Sequence, residues 1–126
     1  MKKHAVLLTL SAMAIATLQS GCGDSRVLTY EADIKPILEA NCVSCHGPDG
    51  EGYEVSGQRL DSYEGLMKGT KFGPVVEPGS SFSSTLYRLV AGKVDPSIQM
   101  PHGESKELPD AQVEIIAKWI DQGAQK

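Results

Sequence analysis

The chain has 126 residues and a mass of 13.5 kDa, with 40% apolar, 22% charged and 6% aromatic residues. That length supports one compact unit and excludes a large multi-domain enzyme. Lys and Arg number 12 against 16 Asp and Glu, with an isoelectric point near 5.3, so the basic footprint that phosphate backbones require is missing and no nucleic-acid partner is expected.

Residues 1–21 read as an export signal. Lys2 and Lys3 supply a positive start, and Ala5 to Leu18 is an uncharged, largely apolar run with small residues at its end. A spanning anchor of about 20 strongly apolar residues fits less well, because Thr9, Ser11, Thr17, Gln19 and Ser20 dilute the run. Removing this segment takes away two Lys and no acid, leaving 105 residues with 10 basic and 16 acidic groups, a net charge of −6. Ser20-Gly21-Cys22 resembles the end of a lipoprotein signal, in which the Cys after a small residue is lipidated and becomes the new N-terminus. Gln19 departs from that pattern, since Leu18 lies one place early, and cleavage at Ala14 to Ala16 would instead release an unanchored protein. Cys22 is otherwise an odd third thiol in an exported chain, so lipidation at Cys22 is expected, with membrane contact through that anchor. Residues 22–29 then form a short linker.

The mature chain reads as all-α. Ile34, Ile37, Leu38 and Cys42 repeat at helical spacing, predicting a first helix over residues 33–44 with Asp33 as its cap and Pro36 in its first turn. Asp61-Ser62-Tyr63-Glu64 reads as a capping box before Leu66 and Met67, in a second helix that Gly69 ends. A third spans Ser81 to Ala91, with Leu86, Leu89 and Val90 on one side and Gly92 as its stop. The fourth carries the apolar stripe Val113, Ile116, Ala117 and Ile120, with Pro109 near its start and Gly123 just past its end. Between them lie His46–Leu60, Thr70–Ser80 and Lys93–Leu108, loops of 11 to 16 residues. Loops of that length are abnormal in so small a unit unless they perform a function or wrap a non-protein core component.

Cys42-Val43-Ser44-Cys45-His46 is the C-x-x-C-H pattern of c-type haem attachment. Two thiols separated by two residues can add across neighbouring vinyl groups of one porphyrin, while the next residue offers an imidazole to the iron. A thiol-disulfide motif would follow a strand and open a helix, whereas this one closes a helix and runs into Gly47-Pro48-Asp49-Gly50. Zinc would require Cys42, Cys45, an adjacent His and a fourth ligand such as His102 to converge on one tetrahedral centre.

A haem used for electron transfer wants a second axial ligand. After the signal, only Met67, Met100 and His102 remain as Met or His candidates besides His46. Met67 falls on the second helix beside Leu66, where core packing is the simpler role. Met100 precedes Pro101, which biases it toward extended backbone in a loop free to cover the haem. Met100 is therefore the first candidate for the distal position, with His102 the alternative; Met ligation would raise the potential relative to two His.

Several stretches together carry a family likeness: Asp33-Ile34-Lys35-Pro36-Ile37-Leu38, Cys42 to Pro48, Leu60-Asp61-Ser62-Tyr63-Glu64-Gly65-Leu66, Val76-Glu77-Pro78-Gly79, Ser84-Thr85-Leu86-Tyr87, Met100-Pro101 and Trp119-Ile120-Asp121-Gln122-Gly123-Ala124. From Tyr30 to Ala124 the chain resembles the planctomycete-type cytochrome c domain, within the class I c-type cytochrome fold. The resemblance implies a small cytochrome c-like fold of about four short helices and long loops wrapped around one haem, with residues 30–126 as a monohaem domain. It also implies that Cys42 and Cys45 carry the thioethers of one covalently attached haem c, that His46 is the proximal and Met100 the distal iron ligand, and that the first and last helices cross beside the haem. His102 stands where the family commonly has a second Pro, and Pro109 where it tends to have Ser or Thr.

Other residues have two roles open to them. Trp119 is suited equally to a haem pocket and to packing against the first helix, while Arg59, Lys71 and Tyr63 could hold haem propionates but suit ordinary solvated surface better. No Ser/His/Asp triad, phosphate loop or usable carboxylate pair occurs. The expected function is a monohaem c-type cytochrome, an electron carrier rather than an enzyme, passing single electrons between redox protein partners on the periplasmic or cell-envelope side. The alternatives are a haem-based sensor or peroxidase-like protein with a dissociable Met100, and a thiol or zinc module.

Overall fold

Thr29 adopts an extended backbone, and its hydroxyl accepts from the Ala32 N–H at 3.4 Å while the Asp33 carboxylate accepts from the Thr29 N–H at 2.8 Å. This reciprocal pair satisfies donors that a helix start otherwise leaves open. It launches a π-type turn, Tyr30–Ile34, that runs directly into α1, Lys35–Asn41. The helical segment therefore begins before the expected residue 33, and Asp33 reaches back to the cap instead of being it. Arg26 holds Asp33 there through two bonds of 2.8 and 2.9 Å. Pro36 sits in the first turn of α1, where its missing N–H costs no helical bond.

The computed structural model describes residues 26–103 and 106–126; the export signal, residues 1–21, and the lipidation site Cys22 lie outside the described residues. Cys42 leaves helical geometry at φ −129°, so the single helix expected over 33–44 divides into α1 and a short α2, Val43–His46. The expected loop after His46 holds α3, Glu51–Ser56, ended by Gly57 at φ 75°, a left-handed conformation suited to Gly. In α4, Tyr63–Lys68, the cap is Ser62, whose hydroxyl accepts from the Gly65 N–H at 3.1 Å. Asp61 is withdrawn from the expected capping box by an ion pair with Arg59.

Helix α5, Thr85–Val90, starts later than expected because Ser84 serves the preceding loop. Its fully buried hydroxyl donates to the Ser80 carbonyl at 2.9 Å and accepts from the Glu77 N–H at 2.8 Å. A 3-10 turn, Pro96–Ile98, precedes α6, Asp110–Asp121. Pro109 is extended and lies one place before α6, and its carbonyl accepts from the Gln112 and Val113 N–H groups. Among the described residues there is no strand, only an isolated bridge between Thr70 and Gly73. The fold is all-α.

The core joins Tyr30, Ile34 and Leu38 to Ile116, Trp119 and Ile120 of α6, with Leu66, Leu86 and Val90 filling the remaining side. Beyond α6 the chain doubles back, and the Gln125 carbonyl accepts from both the Tyr30 N–H at 2.9 Å and the Trp119 Nε1–H at 2.8 Å. The Tyr63 hydroxyl donates to the Ala124 carbonyl at 3.0 Å. One end of the chain thereby closes over the other, and Trp119 belongs to this helical frame.

Tyr30 is only 1% exposed, yet its hydroxyl has no hydrogen-bond partner among the described residues. Burial, helped by the charges of Glu31 and Asp61, pushes its phenol up to about 12. The folded state thus favours the neutral phenol, whose contribution is complete below the unfolded value of roughly 10 and is lost as pH rises from there through the folded value. Tyr30→Phe removes an unsatisfied buried group; thermal melts should show a midpoint unchanged or raised at neutral pH, and a shallower loss of stability at alkaline pH than in the wild type.

Candidate cofactor site

Between the α2–α3 segment and α5 lies a cavity of about 420 Å³, within the range of roughly 300–1,000 Å³ typical of small-molecule and cofactor clefts. Leu60, Val75, Leu86, Leu89 and Val90 supply much of its apolar wall. Cys42, Cys45 and His46 enter from one part of the chain, and Met100 and His102 from the loop after α5. Five residues singled out in the sequence therefore converge on one space. Trp119, Met67, Arg59, Lys71 and Tyr63 do not line it. Trp119 and Met67 pack in and against the core, and Arg59 is held by Asp61.

Gln58 fixes the His46 ring. Its backbone carbonyl, which can only accept, lies 3.2 Å from Nδ1, so Nδ1 carries the proton and Nε2 keeps its lone pair. The Leu60 N–H also donates to the His46 carbonyl at 2.9 Å, pinning the same residue through its main chain. The Gln58 side chain donates to the Arg59 and Gly65 carbonyls at 2.9 and 3.2 Å, which ties this support to α4.

Helix α3 can approach the Cys-His segment only because Gly50 and Gly52 lack side chains. A Cβ on Gly50 would lie 2.1 Å from the Cys45 carbonyl oxygen, and one on Gly52 would lie 2.9 Å from both Cε1 and Nε2 of His46. Gly50, Gly52 and Gln58 were not foreseen as site residues. The cluster Gly47, Gly50 and Gly52 just after His46 was the available signal, since closely spaced Gly often marks close backbone approach.

Burial, followed by the neighbouring Cys45 thiol, pushes Cys42 up to about 11. Redox-active C-x-x-C pairs need a lowered value, so the shift runs against a thiol-exchange site. Among the described residues no three His, Cys, Asp or Glu side chains form a group that could hold a metal ion, so the zinc arrangement is not assembled. Cys45 is exposed and Cys42 half-buried.

On the opposite side of the sequence, the Met100 N–H donates to the Leu89 carbonyl at 3.3 Å, and its side chain packs against the core. Gln99 Nε2 donates to Glu107 Oε1 at 3.1 Å, drawing together the two ends of the segment that carries Met100 and His102. His102 is exposed.

A family model described as Planctomycete cytochrome C matches residues 42–104, half of the chain. The chain belongs to that family. The match starts at the first motif Cys and takes in every lining residue of the cavity except Asn41, the last residue of α1, while the rest of α1 and all of α6 lie outside it. No curated protein and no solved structure matches the chain. Family membership implies a haem-binding electron carrier, and the residues present fit such a group. The walls are largely apolar, two thiols lie beside an imidazole whose Nε2 is uncommitted to hydrogen bonding, and a Gly-made recess keeps that imidazole clear. Gly52→Ala should crowd the His46 ring and cost about 1–3 kcal/mol through overpacking, seen as a lower melting midpoint together with a reduced yield of haem-bearing protein.

Proposed function

We propose that the protein is a monohaem c-type cytochrome that carries single electrons between redox partners outside the cytoplasm. The observation that carries this reading is the convergence of Cys42, Cys45, His46 and Met100 on one apolar cavity. Haem, when bound, supplies a one-electron iron couple.

Cys42 and Cys45 would tether the group covalently, and His46 would hold its iron through Nε2. The bond from Nδ1–H to the Gln58 carbonyl orients the imidazole. Met100 would hold the iron through its thioether, which would favour a higher potential than a second imidazole. Its half-buried position against the core, with His102 more exposed, supports Met100 as the resting donor. Leu60, Val75, Leu86 and Val90 give the cavity an apolar wall, which would act on the potential in the same direction. With His46 and Met100 both available to hold the iron, electron carriage rather than bond chemistry is the proposed role.

In this reading residues 1–21 direct export, Cys22 bears a lipid that holds the protein at the envelope, and residues 30–126 form the monohaem domain. The net charge of −6 after signal removal suits basic docking surfaces on redox partners.

The test is an absorption spectrum of protein exported by a host with a working cytochrome c maturation system, oxidised, reduced and after alkaline pyridine treatment. One covalently held haem per chain is expected, retained through denaturing electrophoresis and lost in the Cys42→Ala/Cys45→Ala variant. A chain without haem, beside a control cytochrome that matured normally, would overturn the reading. For the anchor, Cys22→Ala should move the protein from the membrane fraction to the soluble exported fraction; an unchanged distribution would remove lipidation from the account.

A further inference from the structure

Met100 and His102 are two iron-competent donors on one short segment, and both line the cavity that holds His46. They differ in how they are held. Met100 is fixed through its N–H bond to Leu89 and its packing against the core. His102 is exposed, and among the described residues no hydrogen bond or ion pair engages its imidazole. The next residue, Gly103, takes a left-handed turn at φ 70°. Being exposed, the His102 side chain can change rotamer without breaking a hydrogen bond or ion pair among the described residues.

From this juxtaposition we infer that His102 is a second distal donor, which takes the position of Met100 whenever the thioether is withdrawn. The inference rests on the haem reading above and adds to it a reserve ligand built into the same segment. A neutral imidazole nitrogen replaces a neutral sulfur on the iron, so the exchange itself transfers no electron. Its direction follows from linkage. Met ligation raises the potential relative to His ligation, meaning that the thioether favours reduced iron more than the imidazole does. His102 is therefore preferred most strongly in the oxidised protein, and taking it lowers the potential. The segment would keep the iron six-coordinate after loss of Met100, and so shield it from small ligands.

The experiment compares matured, haem-bearing Met100→Leu and Met100→Ala, each with and without His102→Ala. Met100→Leu nearly preserves side-chain volume and guards against a folding failure of the alanine variant. Absorption and electron paramagnetic resonance spectra of the oxidised proteins report spin state, and titration with free imidazole reports access to the iron. The single Met100 variants are expected to remain six-coordinate and low-spin. Adding His102→Ala should turn them high-spin and tighten imidazole binding at least tenfold. Single variants that are already high-spin, or imidazole affinity indifferent to His102→Ala, would overturn the reserve-ligand inference while leaving the cytochrome reading in place. Wild-type protein without haem would overturn the cytochrome reading itself.

Discussion

The bond from His46 Nδ1–H to the Gln58 carbonyl, with the return bond from the Leu60 N–H to the His46 carbonyl, closes the excursion that contains α3. Each is an ordinary hydrogen bond of modest net strength. Their effect is geometric. They hold the imidazole and the backbone beneath it to the same short stretch, and the Gln58 side chain passes that restraint to α4 through the Arg59 and Gly65 carbonyls. Were Gln58 to shift, the ring would lose its orientation, α3 would lose its register on the Cys-His segment, and α4 would lose a bridge to both.

The molecule divides its work between a closed frame and an open cleft. Tyr30, Ile34, Leu38, Ile116, Trp119 and Ile120 form the frame's apolar contacts, and the chain after α6 locks it through the Gln125 and Ala124 carbonyls. Gln122 adds a tie between the ends, accepting from the Leu28 N–H at 2.7 Å and donating to the Arg26 carbonyl at 3.1 Å. The stretch from α2 to the Met100 segment spends its apolar side chains differently, leaving part of them on a cavity wall. Such a wall is costly when it faces water, and a large planar apolar cofactor relieves that cost. Cofactor and fold therefore stabilise one another, since a ligand that binds the native state alone shifts unfolding by mass action.

The family match follows the same division. It covers 42–104, which holds every cavity-lining residue except Asn41 at the end of α1, and leaves α1 and α6 outside. That stretch holds the thiols three apart, the imidazole next to them, and the Gly residues at which backbone approaches closely. The frame demands apolar volume at helical period, which many sequences satisfy.

Much of the local structure was written in the sequence because its causes are local. The C-x-x-C-H spacing, the apolar stripe of α6, and the stops at Gly69, Gly92 and Gly123 depend on residues within a few positions of one another, and the all-α class follows from their period. Helix α3 escaped that reading because Glu51–Ser56 carries no apolar stripe; it exists because Gly50 and Gly52 let it lie against Cys45 and His46. Competition for hydrogen-bonding groups was equally invisible. Asp33 and Asp61 both looked like caps, but Arg26 and Arg59 engage them, and Thr29 and Ser62 cap instead. Ser84 was drawn into the Glu77–Ser80 loop. The role of Trp119, and the meeting of Met100 and His102 with His46 in one cavity, required chain segments far apart in sequence to be packed together. The sequence by itself determined which chemistry was available and where helices could form, because spacing and dihedral preference act over a few residues. Only the tertiary structure decided which donor met which acceptor and which side chains shared a space, because burial and packing act between residues the chain order keeps apart.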